Sequence, residues 1–200
     1  MAITNGYCSL SEVKAALRIT DSVDDDLLER AVEAASRRID GECSRRFYAD
    51  GSATARVYMA PTTDLLRVED ISTLTGFVVK IDENADGTYE KTLTAGTDYQ
   101  IEPANALAQG QPVNVLRALD TLWPVASNGR HLIQVTANWG WPSVPDAIRE
   151  ATVLLTERHY KRLDSPLGVA GFGDLGAIMV RRIDPDVAAL VAPFRDPVVA

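Results

Sequence analysis

Apolar positions recur with helical spacing at both ends of this chain and with alternating spacing between them. "SLSEVKAALRI", residues 9–19, puts Val13, Ala16 and Leu17 on one helical face. Ser9 and Glu12 stand at the spacing of a capping box, in which each side chain takes a hydrogen bond from the other residue's backbone N–H. A longer helix is predicted in "TDSVDDDLLERAVEAASRRIDGECSRRF". There Leu27, Ala31, Ala35, Ile39 and Cys43 recur every fourth residue, with Leu28 and Val32 beside them. The stripe is narrow and alanine-rich, which favours close approach of a neighbouring helix. Asp24, Asp25 and Asp26 suit the positive end of its dipole, and the arginines gather toward the negative end.

From about residue 53 the period becomes two. "TARVYMA", "DLLRVEDI", "GFVVKID", "GTYEKTL", "DYQIEP", "PVNVLRAL" and "HLIQVTANWGW" read as short strands punctuated by Gly, Pro, Asn and Asp. No helical pattern interrupts them, so an antiparallel meander or sandwich is expected rather than a parallel sheet. Helical spacing returns in "SVPDAIREATVLLTERHYKRL", where Pro145 suits a first turn and Ile148, Ala151, Thr152, Leu155 and His159 share a face. A glycine-rich stretch, "DSPLGVAGFGDLGA", a strand-like "IMV" and a short helix, "DPDVAALVAPF", complete the chain. The fold class expected is α+β, a single domain over 1–200. Its helical core comprises 1–50 and 143–200 (N-terminal helices, long central helix, C-terminal helix), and an antiparallel β insertion at about 53–142 projects from it.

Composition narrows what such a domain does. With 200 residues, 46% of them hydrophobic, the chain can bury one sizeable core. Its net charge of −8 and pI near 4.8 disfavour a protein whose main task is gripping a phosphate backbone. Cys8 and Cys43 fit no metal or redox spacing and are expected as buried free thiols. "MAITNGYCSL" lacks the basic and apolar regions of a secretory signal, and no apolar run is long enough for a bilayer, so no membrane partner is expected.

Signs of catalysis are sparse. His131 and His159 are the only histidines, and neither accompanies a nucleophile elbow or an H-E-x-x-H cluster. Gly171, Gly173 and Gly176 satisfy G-x-G-x-x-G, but a helix and a proline loop precede them where a dinucleotide site needs a strand, so a linker is expected. Arg37, Arg38, Arg45 and Arg46 sit among carboxylates and are expected on a solvated face or subunit contact rather than a phosphate site. "IDENADGTYE" imitates a calcium loop at Asp82, Asn84, Asp86 and Gly87, yet position twelve, which needs a bidentate carboxylate, is Leu93. Strand patterns flank it, so a hairpin turn is expected instead.

Four stretches carry a resemblance: "YCSLSEVKAALRI", "DDDLLERAVEAASRRIDGECSRRFY", "TDYQIEP" and "LIQVTANWGWPSVPDAIREATVLLTERHYKR". Together they resemble the head-to-tail connector (adaptor) family of tailed bacteriophages with long non-contractile tails. The aromatic-Gly-Trp followed by proline and an alanine-bearing helix is a recurrent family feature. The resemblance implies a structural virion protein in the neck, present in the host cytoplasm during assembly. It implies a ring of about a dozen copies under the portal protein that extends the DNA channel and meets a stopper or tail-completion protein. It further implies that the segment after Gly176 docks on the portal, with Val187, Leu190, Val191 and Phe194 as apolar anchors. The glycines before it would also let this segment reach a neighbouring subunit, and Arg181 and Arg182 add a small basic spot to the same expected portal or subunit interface. An acidic channel wall lets DNA slide past without condensing on it, and Asp24–Asp26 are one candidate lining; helix capping is the simpler role. No enzyme activity, catalytic residue, cofactor or metal is expected. The rivals are a stopper or tail-completion protein of the same neck and a small metal-dependent hydrolase using Asp82, Asp86 and His131.

Overall fold

Ser9 caps the first helix as its sequence specifies. In the computed structural model, which describes residues 2–125, 129–162, 169–170, 178–179 and 184–196, the Glu12 carboxylate accepts the Ser9 N–H at 2.7 Å and the Ser9 hydroxyl accepts the Glu12 N–H. This starts α1 (Leu10–Leu17), which ends at Arg18 in the left-handed region. Only Val13 of the expected face is fully buried; Ala16 is exposed. The protein divides into two compact units, Met1–Arg46 with Val144–Ala200 and Phe47–Ser143.

In the first unit α2 (Asp25–Cys43) buries Leu28, Val32, Ala35, Ser36, Ile39 and Cys43. The expected line through Leu27 and Ala31 is displaced, and both are only half-buried. A strict four-residue repeat drifts about 40° around the helix at each step, because a turn holds 3.6 residues. The inward face must therefore alternate steps of three and four, which makes Ser36 an interior position. Its hydroxyl donates to the Val32 carbonyl at 2.8 Å and accepts the Tyr7 N–H, leaving no polar atom stranded.

α3 (Asp146–Lys161) packs against α1 and α2, and against α4 (Pro185–Val191). That setting explains its wide inward face of Ile148, Ala151, Thr152, Val153, Leu155 and Thr156. The two threonines return their hydroxyls to the carbonyls of Ile148 and Thr152, so both can be buried. Pro145 is the residue before the first turn rather than within it, with extended backbone. Cys8, Val13, Leu28, Val32 and Val153 form one apolar cluster, edged by Tyr160. Asp184 caps α4 by accepting the Asp186 N–H, and a 3-10 turn, Ala192–Phe194, follows. A small antiparallel pair, β7 (Val169–Ala170) with β8 (Ile178–Met179), precedes α4, whereas Gly171, Gly173 and Gly176 lie outside the described residues.

The second unit is a six-stranded antiparallel sheet, which with the helices makes the fold α+β. Its strands are β1 (Thr54–Tyr58), β2 (Leu65–Ile81), β3 (Lys91–Leu93), β4 (Tyr99–Glu102), β5 (Val113–Ala118) and β6 (Ile133–Trp139). They run in the order β1-β6-β2-β5-β4, with β3 also on β2. This is not a meander, because β6 enters between β1 and β2. Nor are "DLLRVEDI" and "GFVVKID" separate strands: β2 passes through both. Register shifts at Arg67/Ile71, Ile71/Thr73 and Thr73/Val78 let its first part pair with β5 and its later part with β6 and β3. Strict alternation on β6 buries Ile133, Val135, Ala137 and Trp139 in a core with Leu66, Ile71, Leu116 and Trp123. The buried indoles keep their N–H groups paired, Trp139 to the Thr54 carbonyl at 2.9 Å and Trp123 to the Leu116 carbonyl at 3.2 Å.

Candidate functional site

The assembly role that the resemblance implies would use surfaces in place of a cleft, so the residues of interest are those that charge or exposure makes available to a partner. The C-terminal positions come first. Val187 is 4% exposed and Val191 1%, so both are interior residues of the first unit, while Leu190 and Phe194 are half-buried. Arg181 and Arg182 lie outside the described residues. The end of this segment is tied to the end of α2. The Asp196 N–H donates to the Cys43 carbonyl at 2.9 Å, Arg45 pairs with Asp196 at 3.6 Å, and Arg195 pairs with Glu42 at 3.6 Å.

Of the arginines expected on a solvated face or subunit contact, Arg45 braces the chain through Asp196, while Arg37 is exposed and also bonded within the unit. Arg37 pairs with Asp40 at 2.9 Å, donates to the Asn5 carbonyl and lies over the Tyr7 ring, whose hydroxyl also bonds Asp40. The last turn of α2 itself holds no basic residue. The acidic run is used in the same way: Asp24 accepts the Tyr160 hydroxyl at 2.6 Å, and Asp25 pairs with Lys14 at 2.6 Å. Asp24 occupies the position before the first turn of α2, but its side chain makes no capping bond. Its carboxylate is committed to α3.

Both cysteines are buried and free. Burial pushes the Cys8 thiol up to about 12, helped by Glu12, and the Cys43 thiol up to about 11, so neither is a nucleophile at neutral pH. His159 is half-buried, and burial followed by nearby Arg38 and Arg162 lowers its pKa, keeping the ring neutral.

Residues 82–90 connect β2 to β3, whose pairing begins at Ile81 and Lys91. Ala85 and Gly87 take positive φ there, as a tight reversal requires. Asp82 is 2% exposed, and its two carboxylate oxygens accept the N–H groups of Asp86 at 3.2 Å and Gly87 at 2.8 Å. Asp86 in turn accepts the Thr88 N–H, which holds its carboxyl below the usual range. Carboxylates of Asp82, Asp86 and Glu90 lie within 4.8 Å of one another, whereas His131 is not among them. The grouping a hydrolase would need, Asp82 with Asp86 and His131, is therefore not the one that forms. Asp82 works as the organiser of the turn. Asp82→Ala is expected to cost about 1.5–3 kcal/mol, the worth of backbone hydrogen bonds to a charged group, whereas adding a chelator leaves the wild-type melting temperature unchanged. Thermal unfolding with and without chelator checks both.

Sequence periodicity missed the outward apolar positions of the sheet unit. Val57, Met59, Leu74, Leu119, Leu122 and Val125 are all large apolar residues left substantially exposed. The signal was present in "TARVYMA", whose alternate residues Ala55, Val57 and Met59 are apolar on the face away from the core. It is legible only once the inward face is known to be Arg56 and Tyr58, packed on Trp139.

Residues 7–101 match the model of the family described as phage gp6-like head-tail connector protein. Three solved structures share the fold over 100% of this chain. The neck of the empty gene transfer agent (GTA) particle, computed with C6 symmetry, matches with TM-score 0.60 at 19% identity over 95% of its chain. The neck of the native GTA particle, computed with C12 symmetry, gives 0.59 at 18% over 94%. The virion of the native particle gives 0.57 at 19% over 95%. No curated protein matches the chain.

Proposed function

We infer that this chain, whose residues 7–101 match the phage gp6-like head-tail connector model, is a structural protein of the neck of a phage-like particle, acting by assembly and not by catalysis. The observation that carries the reading is the coincidence of that match with a fold shared end to end with neck proteins. Neighbours solved with C12 and C6 symmetry support a ring of copies of this chain within a neck complex. In this reading the helices form the core of the subunit and the sheet unit is the insertion that the core carries. No helix among the described residues is long and apolar enough to cross a membrane.

The finer roles are proposals. The ring sits beneath the portal, prolongs the DNA channel and receives a stopper or tail-completion protein. The segment after Gly176 reaches the portal or the adjacent subunit. Leu190, Phe194, Arg181 and Arg182 make the contact there, and Val187 and Val191 hold α4 on the helical unit so that the contact is presented in one geometry. The test is the mass of the purified full chain alone and after mixing with a portal ring. Stoichiometric capture of many copies per portal is expected. A chain that never joins a portal ring under any condition would remove the connector reading.

A further inference from the structure

The sheet unit carries two outward surfaces that its own fold leaves in solvent. Directly opposed residues in a sheet share a face. The registers Val57–Gln134–Lys80 and Ala55–Thr136–Val78 therefore lie together on the outer side of β1, β6 and β2, with Met59 just beyond. The alternate rows, Tyr58–Ile133–Ile81 and Arg56–Val135–Val79, face the core. β1 is one of the two end strands of the sheet order, and among the described residues it pairs only with β6. End strands are usually guarded by charge or proline. Outward Ala55, Val57 and Met59 offer neither, and Val57 and Met59 are each 47% exposed.

The second surface is the loop after β5, where Leu119, Leu122 and Val125 point outward around Asp120; Leu122 is 62% exposed. This loop is held in place. The Leu119 N–H donates to the Asp98 carbonyl and the Trp123 N–H to the Thr63 carbonyl, both at 2.8 Å. The Thr121 hydroxyl donates to Asp98 at 2.7 Å, and the Trp123 ring is sunk in the core at 1% exposure. Leu122 is thus presented with little ordering entropy left to lose, the condition that favours an interface anchor. Charge also matches: Asp120 in the loop and Lys80 on the outer face have no ion-pair partner among the described residues.

We propose that residues 119–125 of one copy seat on the outer face of β1, β6 and β2 of a second copy, with Leu122 over Val57 and Met59 and Asp120 against Lys80. This contact rests on the assembly reading above and gives it residues. Two different surfaces that fit each other make a head-to-tail interface, which closes into a ring by repetition. An apolar centre among Gln134, Thr136 and Lys80 has the composition of an interface between separately folded subunits.

The test uses the full chain, with and without a portal ring, and reads particle mass by sedimentation. Leu122→Glu and Val57→Glu change exposed side chains, so near-UV circular dichroism should match the wild type. Each variant alone should raise the concentration for half-assembly by at least about tenfold, as expected for an interface anchor. Mixed together, they should form one-to-one pairs and stop, since one copy keeps its loop and the other its outer face. Asp120→Lys and Lys80→Asp should each weaken assembly, and the double variant should recover it. Undiminished assembly of both glutamate variants, or a mixture that pairs no better than either alone, would overturn the contact. A wild-type chain monomeric at every concentration and with portal present would overturn the contact and the assembly reading together.

Discussion

Replacing Gly140 with alanine is expected to cost the sheet unit more than about 3 kcal/mol, among the largest effects a single methyl can have. Gly140 joins the two tryptophans of "NWGW" at φ 112°, where a side chain is strained before any neighbour is considered. A Cβ there would stand 1.8 Å from the Tyr48 carbonyl oxygen and 2.8 Å from its carbon. Neither partner can step aside cheaply. The Gly140 N–H donates to the Asp70 carbonyl at 2.7 Å, and the Asp50 N–H donates to the Trp139 carbonyl at 2.8 Å, pinning both stretches of backbone. The buried indoles on either side fix the register further, with Trp141 bonded to the Asp70 carboxylate and its ring 5.1 Å from that of Phe47. Gly87→Ala is the control, since Gly87 has φ 96° but no atom within 4 Å of the added carbon. It should cost only about 1–2 kcal/mol, the strain of a left-handed residue. Urea unfolding of both variants decides the matter, and equal losses would show that crowding at Tyr48 is not the cause.

The second large effect separates two adjacent leucines. Leu28→Ala should destabilise the helical unit by about 2–5 kcal/mol, because it opens a cavity among Val13, Val32 and Val153 that helices cannot collapse to fill. Leu27→Ala removes the same atoms from a half-buried position and should cost less than about 1.5 kcal/mol. Denaturant melts followed by helical circular dichroism give both values. Equal losses would mean that the inward face of α2 runs where a simple four-residue repeat puts it.

That pair also shows how far periodicity reaches. The existence, type and approximate ends of the helices were legible, because spacing, caps and dipole-compatible charge act within a few residues of one another. The capping box at Ser9 and Glu12 is the clearest case. Rotation of a helix about its axis is set by what packs on it, and here α3 draws Leu28 inward instead of Leu27. The 82–90 turn was likewise readable as a turn, since Asp, Asn and Gly favour reversals locally. That Asp82 is buried and organises it depends on the folded turn closing its own N–H groups onto the carboxylate and on Leu132, fifty residues on, accepting the Asp82 N–H.

The exposed apolar surfaces were the least legible. Val187 and Val191 look like anchors for a partner because apolar residues on a short helix carry no mark of which protein will cover them. Tertiary packing covers them within the chain and leaves Val57, Met59 and Leu122 outside. Helix, strand and turn can be read from local stretches of the chain, since those preferences arise from backbone sterics and neighbouring side chains. Which strands meet, which face of each element turns inward and which apolar residues stay exposed follow from packing between distant stretches. Burial is a property of the whole packed unit, and no window of sequence contains it.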